Sequence, residues 1–247
     1  NKFDNQFVFK KKKRLESYKL IEEFMILANE NVAKFLNSNK LNSIFRNHGK
    51  PSEEKIRDLK KILSDNKIYN NEKFNNQKDF NSIIKKLNEK NFFLYDALLR
   101  SQSKAYYFER NEGHFGLSLD YYTHFTSPIR RYSDLQVHRD LTNFLFYKKR
   151  NKLEVSLSEH LTSQEKKSDY IERKIIERAC SLYIKKTKKK HFTGVVDGVE
   201  PFGIFIKAYE LPFSCLARIK SNRRSNNKRF NFKPNFQIGQ RVSFKIK

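Results

Sequence analysis

The sequence predicts an α+β fold in which a mostly helical part is followed by a small β-barrel. Apolar residues recur at helical spacing in several segments as far as about residue 186. From His191 onward Val, Ile and Phe dominate and glycines punctuate them, which is typical of short strands that close into a barrel. A basic run over 185–190 separates the two patterns, so we predict domains at 1–188 and 189–247, the second of them truncated at its C-terminus.

The helical part is predicted from apolar stripes and from residues that start helices. Ser52, followed by two glutamates, is a strong N-cap. Ser127 and Pro128 predict another helix start, with Pro128 as the first helical residue. Short strands are expected at 105–108 and 117–119, with a glycine turn between them. The predicted helices cover about 15–36, 53–63, 79–87, 94–101, 128–147 and 163–186.

Composition restricts the possible partners and the compartment. The chain of 247 residues carries 52 Lys and Arg against 27 Asp and Glu, a net charge of +25. This charge favours a polyanionic partner, first nucleic acid and second an anionic membrane surface, although a bias toward Lys, Asn, Ile and Phe explains part of it. Two cysteines without a CxxC pattern favour a reducing, cytoplasmic setting. No apolar run reaches the ~18 residues of a membrane span, so we predict no membrane association. We also predict that the protein is a monomer.

The predicted helix start at Ser127 would form an anion site. Free backbone N–H groups point out of the first helical turn, and Arg130 and Arg131 would add two guanidiniums suited to a phosphodiester. Asp134 and His138 continue the same helical ridge from Arg131, and Asp134 could hold the side chain of Arg131 or of His138 in place. The alternative is a solvated surface pair between Arg131 and Asp134, worth about 0–1 kcal/mol.

The segment around these arginines resembles the signature of a known family. The stretch 113–139, with Gly-His-Phe-Gly-Leu at its start and His-Phe-Thr-Ser-Pro-Ile-Arg-Arg-Tyr in its middle, resembles that of the RNB family of 3′→5′ exoribonucleases. Segments 20–29 and 46–51 resemble two further family segments, and 191–247 resembles the S-one type of OB-fold RNA-binding domain. Within the family, the first motif is more typical of RNase R than of RNase II. The resemblance implies hydrolytic, processive degradation of single-stranded RNA to nucleoside 5′-monophosphates.

The resemblance also implies roles for individual residues. Arg130 corresponds to a catalytic arginine that holds the RNA phosphate near the scissile bond. Either Glu22 or Glu23 would lie near the 3′-terminal nucleotide, although solvated glutamates are the simpler interpretation of the composition, and Glu172 would lie near the bases. In the barrel, aromatic and arginine side chains could stack on bases, while strand alternation should send about half of the phenylalanines inward. The remaining RNA-binding candidates are His114, His124, Arg131, Tyr132, Phe192, Phe202, Phe205 and Arg218.

One family feature is missing from the sequence. Family enzymes hold Mg²⁺ with a tight aspartate cluster in the first half of the catalytic domain, whereas the aspartates of this chain are scattered singly. We therefore predict no metal ligand in this chain, which resembles the C-terminal part of an RNB catalytic domain plus the barrel. It would be inactive alone. Two interpretations stay open: a fragment of a longer enzyme, or a non-catalytic single-stranded RNA-binding protein derived from one.

Overall fold

The chain folds into two compact units. The computed structural model describes residues 9–10, 13–68, 73–87, 93–151, 154–218 and 236–246. The larger unit comprises Lys12–Leu87 and Ala97–Ser168; the smaller one comprises Asn1–Lys11, Asn88–Asp96 and Asp169–Lys247. Within the described ranges, no helix is both long and apolar enough to cross a membrane.

The larger unit is mainly helical. In chain order its elements are α1 (Glu16–Ser38), β1 (Phe45–Asn47), α2 (Glu53–Asp65), α3 (Gln77–Lys86), the end of α4 (Phe93–Ser101), β2 (Tyr106–Phe108), a 3₁₀ turn (Phe115–Leu117), α5 (Tyr132–Tyr147) and the start of α6 (Val155–Thr187). The predicted Ser52 cap is confirmed, because its side chain accepts a hydrogen bond from the Lys55 N–H. The helix predicted from about 163 begins at Val155, since no Gly or Pro interrupts the preceding residues.

Buried contacts join α1 to α5 and to the segment before α5. Ala33 and Leu36 of α1 pack in one apolar cluster with Phe45 and with Val137 of α5. Asn29, which is 3% exposed, adds a polar link. Its Nδ2 donates to the Tyr122 hydroxyl at 3.1 Å, and its Oδ1 accepts from the Phe125 N–H at 2.9 Å. The second half of α1 is thereby held against the segment that precedes the arginines.

The first half of α1 leaves its apolar stripe largely uncovered. Leu20, Ile21, Phe24 and Leu27 are between 53% and 59% exposed. These side chains share one face, because they recur at i, i+1, i+4 and i+7. The stripe that the sequence predicts is therefore buried mainly at the C-terminal end of α1.

The smaller unit contains a curled antiparallel sheet. Its strands are β3 (His191–Glu200), β4 (Gly203–Ala208), β5 (Ser214–Arg218) and β6 (Arg241–Lys245), in the order β5-β4-β3-β6. A register shift between Val196 and Gly198 bends β3 where it pairs with β4. The predicted mixture of helices and sheet is confirmed, whereas the OB-fold assignment stays a prediction. The basic segment 223–229 lies outside the described residues.

Candidate nucleic-acid interface

The arginines lie in a turn before α5 and not in its first helical turn. The prediction that Ser127 caps the helix and that Pro128 begins it is wrong: α5 begins at Tyr132. Ser127 closes a separate turn, in which its carbonyl accepts from the N–H groups of Arg130 at 3.3 Å and Arg131 at 3.0 Å. Arg131 then takes an extended conformation, with φ −125° and ψ 119°, which breaks the helical path.

Asp134 fixes this turn. The carboxylate is fully buried, and its Oδ1 accepts from the Ser127 N–H at 2.7 Å and from Arg131 Nη2 at 2.8 Å. Arg131–Asp134 is therefore a buried pair and not the solvated surface pair of the alternative interpretation. Of the two side chains that Asp134 was expected to hold, the structure shows Arg131 held by it. The His138 ring instead stacks on Phe125 at 4.1 Å, and its Nε2 lies 2.9 Å from the Phe125 carbonyl.

A polar network extends from Asp134 to His124. The Ser133 hydroxyl lies 3.1 Å from Asp134 Oδ2 and 3.2 Å from the Tyr107 hydroxyl. The Tyr107 hydroxyl in turn lies 2.9 Å from Nδ1 of His124. Burial first, and then the positive charge of Arg131, lower the pKa of His124 to about 2. His124 is consequently neutral at physiological pH, and its ring is held beneath the turn as a structural member of the network.

Arg46 supports the same network from strand β1. Its guanidinium lies 4.6 Å from the centre of the Tyr107 ring and pairs with Glu165 of α6 at 2.6 Å. Both groups of this pair are mostly buried, with side-chain exposures of 12% and 32%. Sequence reasoning placed Arg46 in a family segment without giving it a role, and it did not single out Tyr107. No local sequence pattern marks Arg46 or Tyr107 as a site residue, because their contacts are with residues that are distant in the chain.

His114 stacks on His48 and holds the glycine-rich segment. The two rings are 5.0 Å apart and tilted by 21°. His48 Nδ1 accepts from the Gly116 N–H at 2.8 Å, so its Nε2 carries the proton and donates to the Ser103 carbonyl at 2.7 Å. His114 Nδ1 accepts from the Leu117 N–H at 3.2 Å, which favours a 3₁₀ turn where the sequence predicted a strand over 117–119.

This histidine pair makes the stability of the larger unit depend on pH. Burial, and then the neighbouring His48, lower the pKa of His114 to about 4. Between this pKa and the ordinary value near 6.5, the unfolded chain binds a proton that the folded chain does not, so stability falls as pH drops through this window. We expect the melting temperature to decrease from about pH 7 to about pH 5, and to decrease less in His114→Gln. The exposed His160 provides the control: an equal decrease in His114→Gln and His160→Gln would contradict this assignment.

Arg130 and Glu22 meet at one cavity, which we call the arginine cavity. Its volume is about 410 Å³, and its charged lining residues are Glu22, Arg130 and Arg131. Arg130 is exposed, and the described part of the chain holds no carboxylate paired with it. The lining residues are Tyr18, Ile21, Glu22, Met25, Ile26, Asn29, Leu117, Tyr122, Thr126, Arg130 and Arg131. The cavity thus combines two cations, one carboxylate and an apolar floor.

The structure separates the two candidate glutamates. Glu22 lies at the arginine cavity and pairs there with Arg14. Glu23 lines a second cavity of about 430 Å³, which it shares with Glu30 and with Ser118 of the glycine-rich segment. Of these two glutamates, Glu22 and not Glu23 lines the arginine cavity with Arg130.

The other candidates on helices are not among the residues that line the arginine cavity. Tyr132, at the start of α5, is 49% exposed, and its hydroxyl accepts from Arg139 Nη1 at 3.1 Å. Glu172 is exposed on α6, in the part of that helix that belongs to the smaller unit.

In the sheet, three of the four candidates come together. Phe202 and Phe205 are 56% and 37% exposed, and their rings meet edge to face at 6.3 Å. Arg218 pairs with Gly203 across the β4–β5 ladder, so its side chain shares the face of Phe205. Phe192 is only 2% exposed and packs on Phe213 and Phe244, which places it in the core. This division agrees with the alternation expected of the strands.

No cluster suited to a divalent metal lies among the described residues: nowhere do three His, Cys, Asp or Glu side chains converge as a ligand set. Asp134 and Asp140, the two buried aspartates of the described ranges, are saturated by hydrogen bonds from the protein. The side chains in these ranges therefore do not fit a Mg²⁺ site.

Two guanidiniums at a cavity and exposed phenylalanines on a small sheet are typical of proteins that bind nucleic acid. Comparison with known proteins agrees with this class. The family model described as the RNB domain matches residues 2–147, and the chain belongs to the RNB family.

The relatives are ribonucleases. Ribonuclease R of Buchnera aphidicola subsp. Schizaphis graminum is 34% identical over 217 residues, which cover 83% of this chain and 30% of the relative. Ribonuclease R of Escherichia coli is 31% identical and is matched over 96% of this chain and 32% of its own length. Among solved structures, Mycoplasma genitalium RNase R in complex with ribose methylated single-stranded RNA superposes with a TM-score of 0.82 at 28% identity, covering 94% of this chain and 40% of that one. The chain thus spans about a third of the length of these curated relatives.

Proposed function

We propose that this chain is the RNA-holding part of an RNase R-like, hydrolytic 3′→5′ exoribonuclease that acts processively on single-stranded RNA and releases nucleoside 5′-monophosphates. The observation that carries the proposal is the arginine cavity, where Arg130, Arg131 and Glu22 meet. In this proposal Arg130 holds the phosphate near the scissile bond, and Glu22 lies near the terminal nucleotide.

The charge arrangement supports a phosphate ligand. Arg131 is held by the buried Asp134, whereas Arg130 projects into solvent with its guanidinium available. A guanidinium matches two oxygens of a phosphodiester with two parallel hydrogen bonds. The apolar side chains of α1 at the floor of the cavity would face the sugar and base, for which sequence-independent apolar contact suffices.

We further propose that 189–247 acts as an OB-fold RNA-binding domain. Phe202, Phe205 and Arg218 would form its stacking surface, since each is exposed and they lie at one end of the β4–β5 ladder. Phe192 is left out of this surface because it is buried. Glu23, His114, His124, Tyr132 and Glu172 are kept as candidates whose contact with RNA is untested.

Hydrolysis would require carboxylates beyond the described residues, because Mg²⁺ in the family enzymes depends on such ligands. We therefore propose that the 247-residue chain binds RNA without cutting it, and that it acts in the cytoplasm as a monomer.

Binding of labelled RNA tests this proposal. We expect the purified chain to bind a fluorescent single-stranded RNA, with a log Kd that rises steeply with log salt because counterions are released. RNA incubated with the chain and Mg²⁺ should keep its length. Absence of RNA binding, or a preference for anionic lipid vesicles with a shallow salt dependence, would contradict RNA binding. Progressive shortening of the RNA would contradict the inactivity of the chain.

A second candidate function is a non-catalytic single-stranded RNA-binding protein. The absence of a carboxylate cluster among the described residues favours it. The coding sequence upstream of Asn1 distinguishes the two: an in-frame segment with closely spaced aspartates supports the nuclease, and a stop codon or an unrelated domain supports the binding protein.

A further inference from the structure

Asp134 contacts the residues on both sides of the turn that bears Arg130. It is fully buried in the first turn of α5, and the same oxygen, Oδ1, accepts from the backbone of Ser127 at 2.7 Å and from the side chain of Arg131 at 2.8 Å. These two residues bracket the turn 128–130. One carboxylate thereby fixes both ends of the segment from which Arg130 projects.

The turn has little other support. Ile129 is fully exposed, Arg130 is exposed, and the internal hydrogen bonds of the turn converge on the Ser127 carbonyl. An exposed segment whose internal N–H bonds, at 3.3 Å and 3.0 Å, end on a single carbonyl samples several backbone conformations unless its ends are fixed. A guanidinium on such a segment loses affinity for phosphate, because binding must then also restrict the backbone.

From these contacts we infer that Asp134 is a positioning residue for phosphate binding: it acts through Arg130 by fixing the turn, and it touches no substrate itself. This inference rests on the proposed function. Its charge matters as well as its shape: an amide oxygen could still accept both bonds at the position of Oδ1. It would lack the negative charge that makes the bonds from the Arg131 guanidinium and the Ser127 N–H strong.

Asp140 provides a matched control on the same helix. It is 4% exposed, and its carboxylate accepts from Ser43 at 2.7 Å, Gln136 at 2.9 Å and Asn151 at 2.7 Å. It is thus a buried, three-fold hydrogen-bonded aspartate like Asp134. None of its partners belongs to the turn that bears Arg130.

A double-mutant cycle in RNA affinity tests the inference. The variants are Arg130→Ala, Asp134→Asn and the double variant, each measured by fluorescence anisotropy with single-stranded RNA and first shown to be folded by circular dichroism. We expect Arg130→Ala to weaken binding about tenfold and Asp134→Asn about fivefold. The RNA affinity of the double variant should lie within about twofold of that of Arg130→Ala, because Asp134 then has no Arg130 guanidinium to position.

The outcomes separate this inference from the proposed function. If the unmodified chain fails to bind RNA, the proposed function fails. If the chain binds RNA but the losses multiply to about fiftyfold, Asp134 acts independently of Arg130 and the inference is overturned. Asp140→Asn should lower the melting temperature without weakening RNA binding more than about twofold; an RNA loss equal to that of Asp134→Asn would mean that both act through general stability.

Discussion

Arg130→Glu is expected to weaken binding of single-stranded RNA between about tenfold and a hundredfold at low salt. The substitution removes a phosphate-binding cation and places a carboxylate at the rim of a cavity that already contains Glu22. The salt dependence should become shallower, with the slope of log Kd against log salt reduced by about 0.7 for each phosphate that the protein no longer neutralises. Fluorescence anisotropy at several salt concentrations measures both effects.

Arg110→Glu is the control for net charge. Arg110 is exposed and is not among the residues that line the arginine cavity. The charge reversal at Arg110 changes the net charge by the same amount as Arg130→Glu. It should weaken RNA binding only by reducing the general electrostatic attraction between a basic protein and RNA. Equal losses in affinity and slope for the two variants would show that Arg130 contributes only to the overall charge.

Phe80→Ala should produce the largest loss of stability. Phe80 of α3 is fully buried, and its ring packs edge to face on Phe74 at 5.0 Å and on Phe115 at 6.0 Å. Truncation of a buried Phe leaves a cavity and costs about 3–5 kcal/mol of unfolding free energy. Because Phe115 begins the 3₁₀ turn whose Leu117 lines the arginine cavity, RNA affinity should fall as well.

Urea unfolding measures this loss. The chain has 12 tyrosines and no tryptophan, so tyrosine fluorescence and circular dichroism are the suitable probes. Phe146→Ala is the matched variant, since Phe146 is 77% exposed, and it should change the unfolding free energy by less than about 0.5 kcal/mol. A midpoint for Phe80→Ala close to that of Phe146→Ala would refute the packing role of Phe80.

Secondary structure could be predicted from the sequence where the signal is local. Helix α2 could be placed from Ser52 and the glutamates after it, and the strands after His191 from their Val, Ile and Phe residues with glycines between them, because these signals depend on neighbouring residues. Ser127 and Pro128 gave an equally strong local signal that the structure overrides. The Ser127 N–H goes to a buried carboxylate seven residues away, and this contact cannot be read from residue preferences.

The candidate site shows the same limit. The resemblance of 113–139 to the RNB signature pointed to Arg130, and the stripe of α1 left Glu22 and Glu23 equivalent. Choosing between these glutamates required the position of α1 against the segment before α5, which Asn29 sets through Tyr122 and Phe125. Arg46 and Tyr107 were missed because their contacts, with Glu165 and His124, have no periodic signature.

The contacts of Asn29 also determine when the arginine cavity can form. The hydrogen bond that Asn29 donates to Tyr122 and the one that it accepts from Phe125 close loops of 93 and 96 residues. Closing such loops costs chain entropy before any contact is gained, so contacts of this kind form late and slow the folding of a domain. During synthesis α1 leaves the ribosome well before its partners exist, and its apolar face stays exposed to other nascent chains and chaperones throughout that interval. We therefore expect the cavity to be among the last features of the larger unit to assemble.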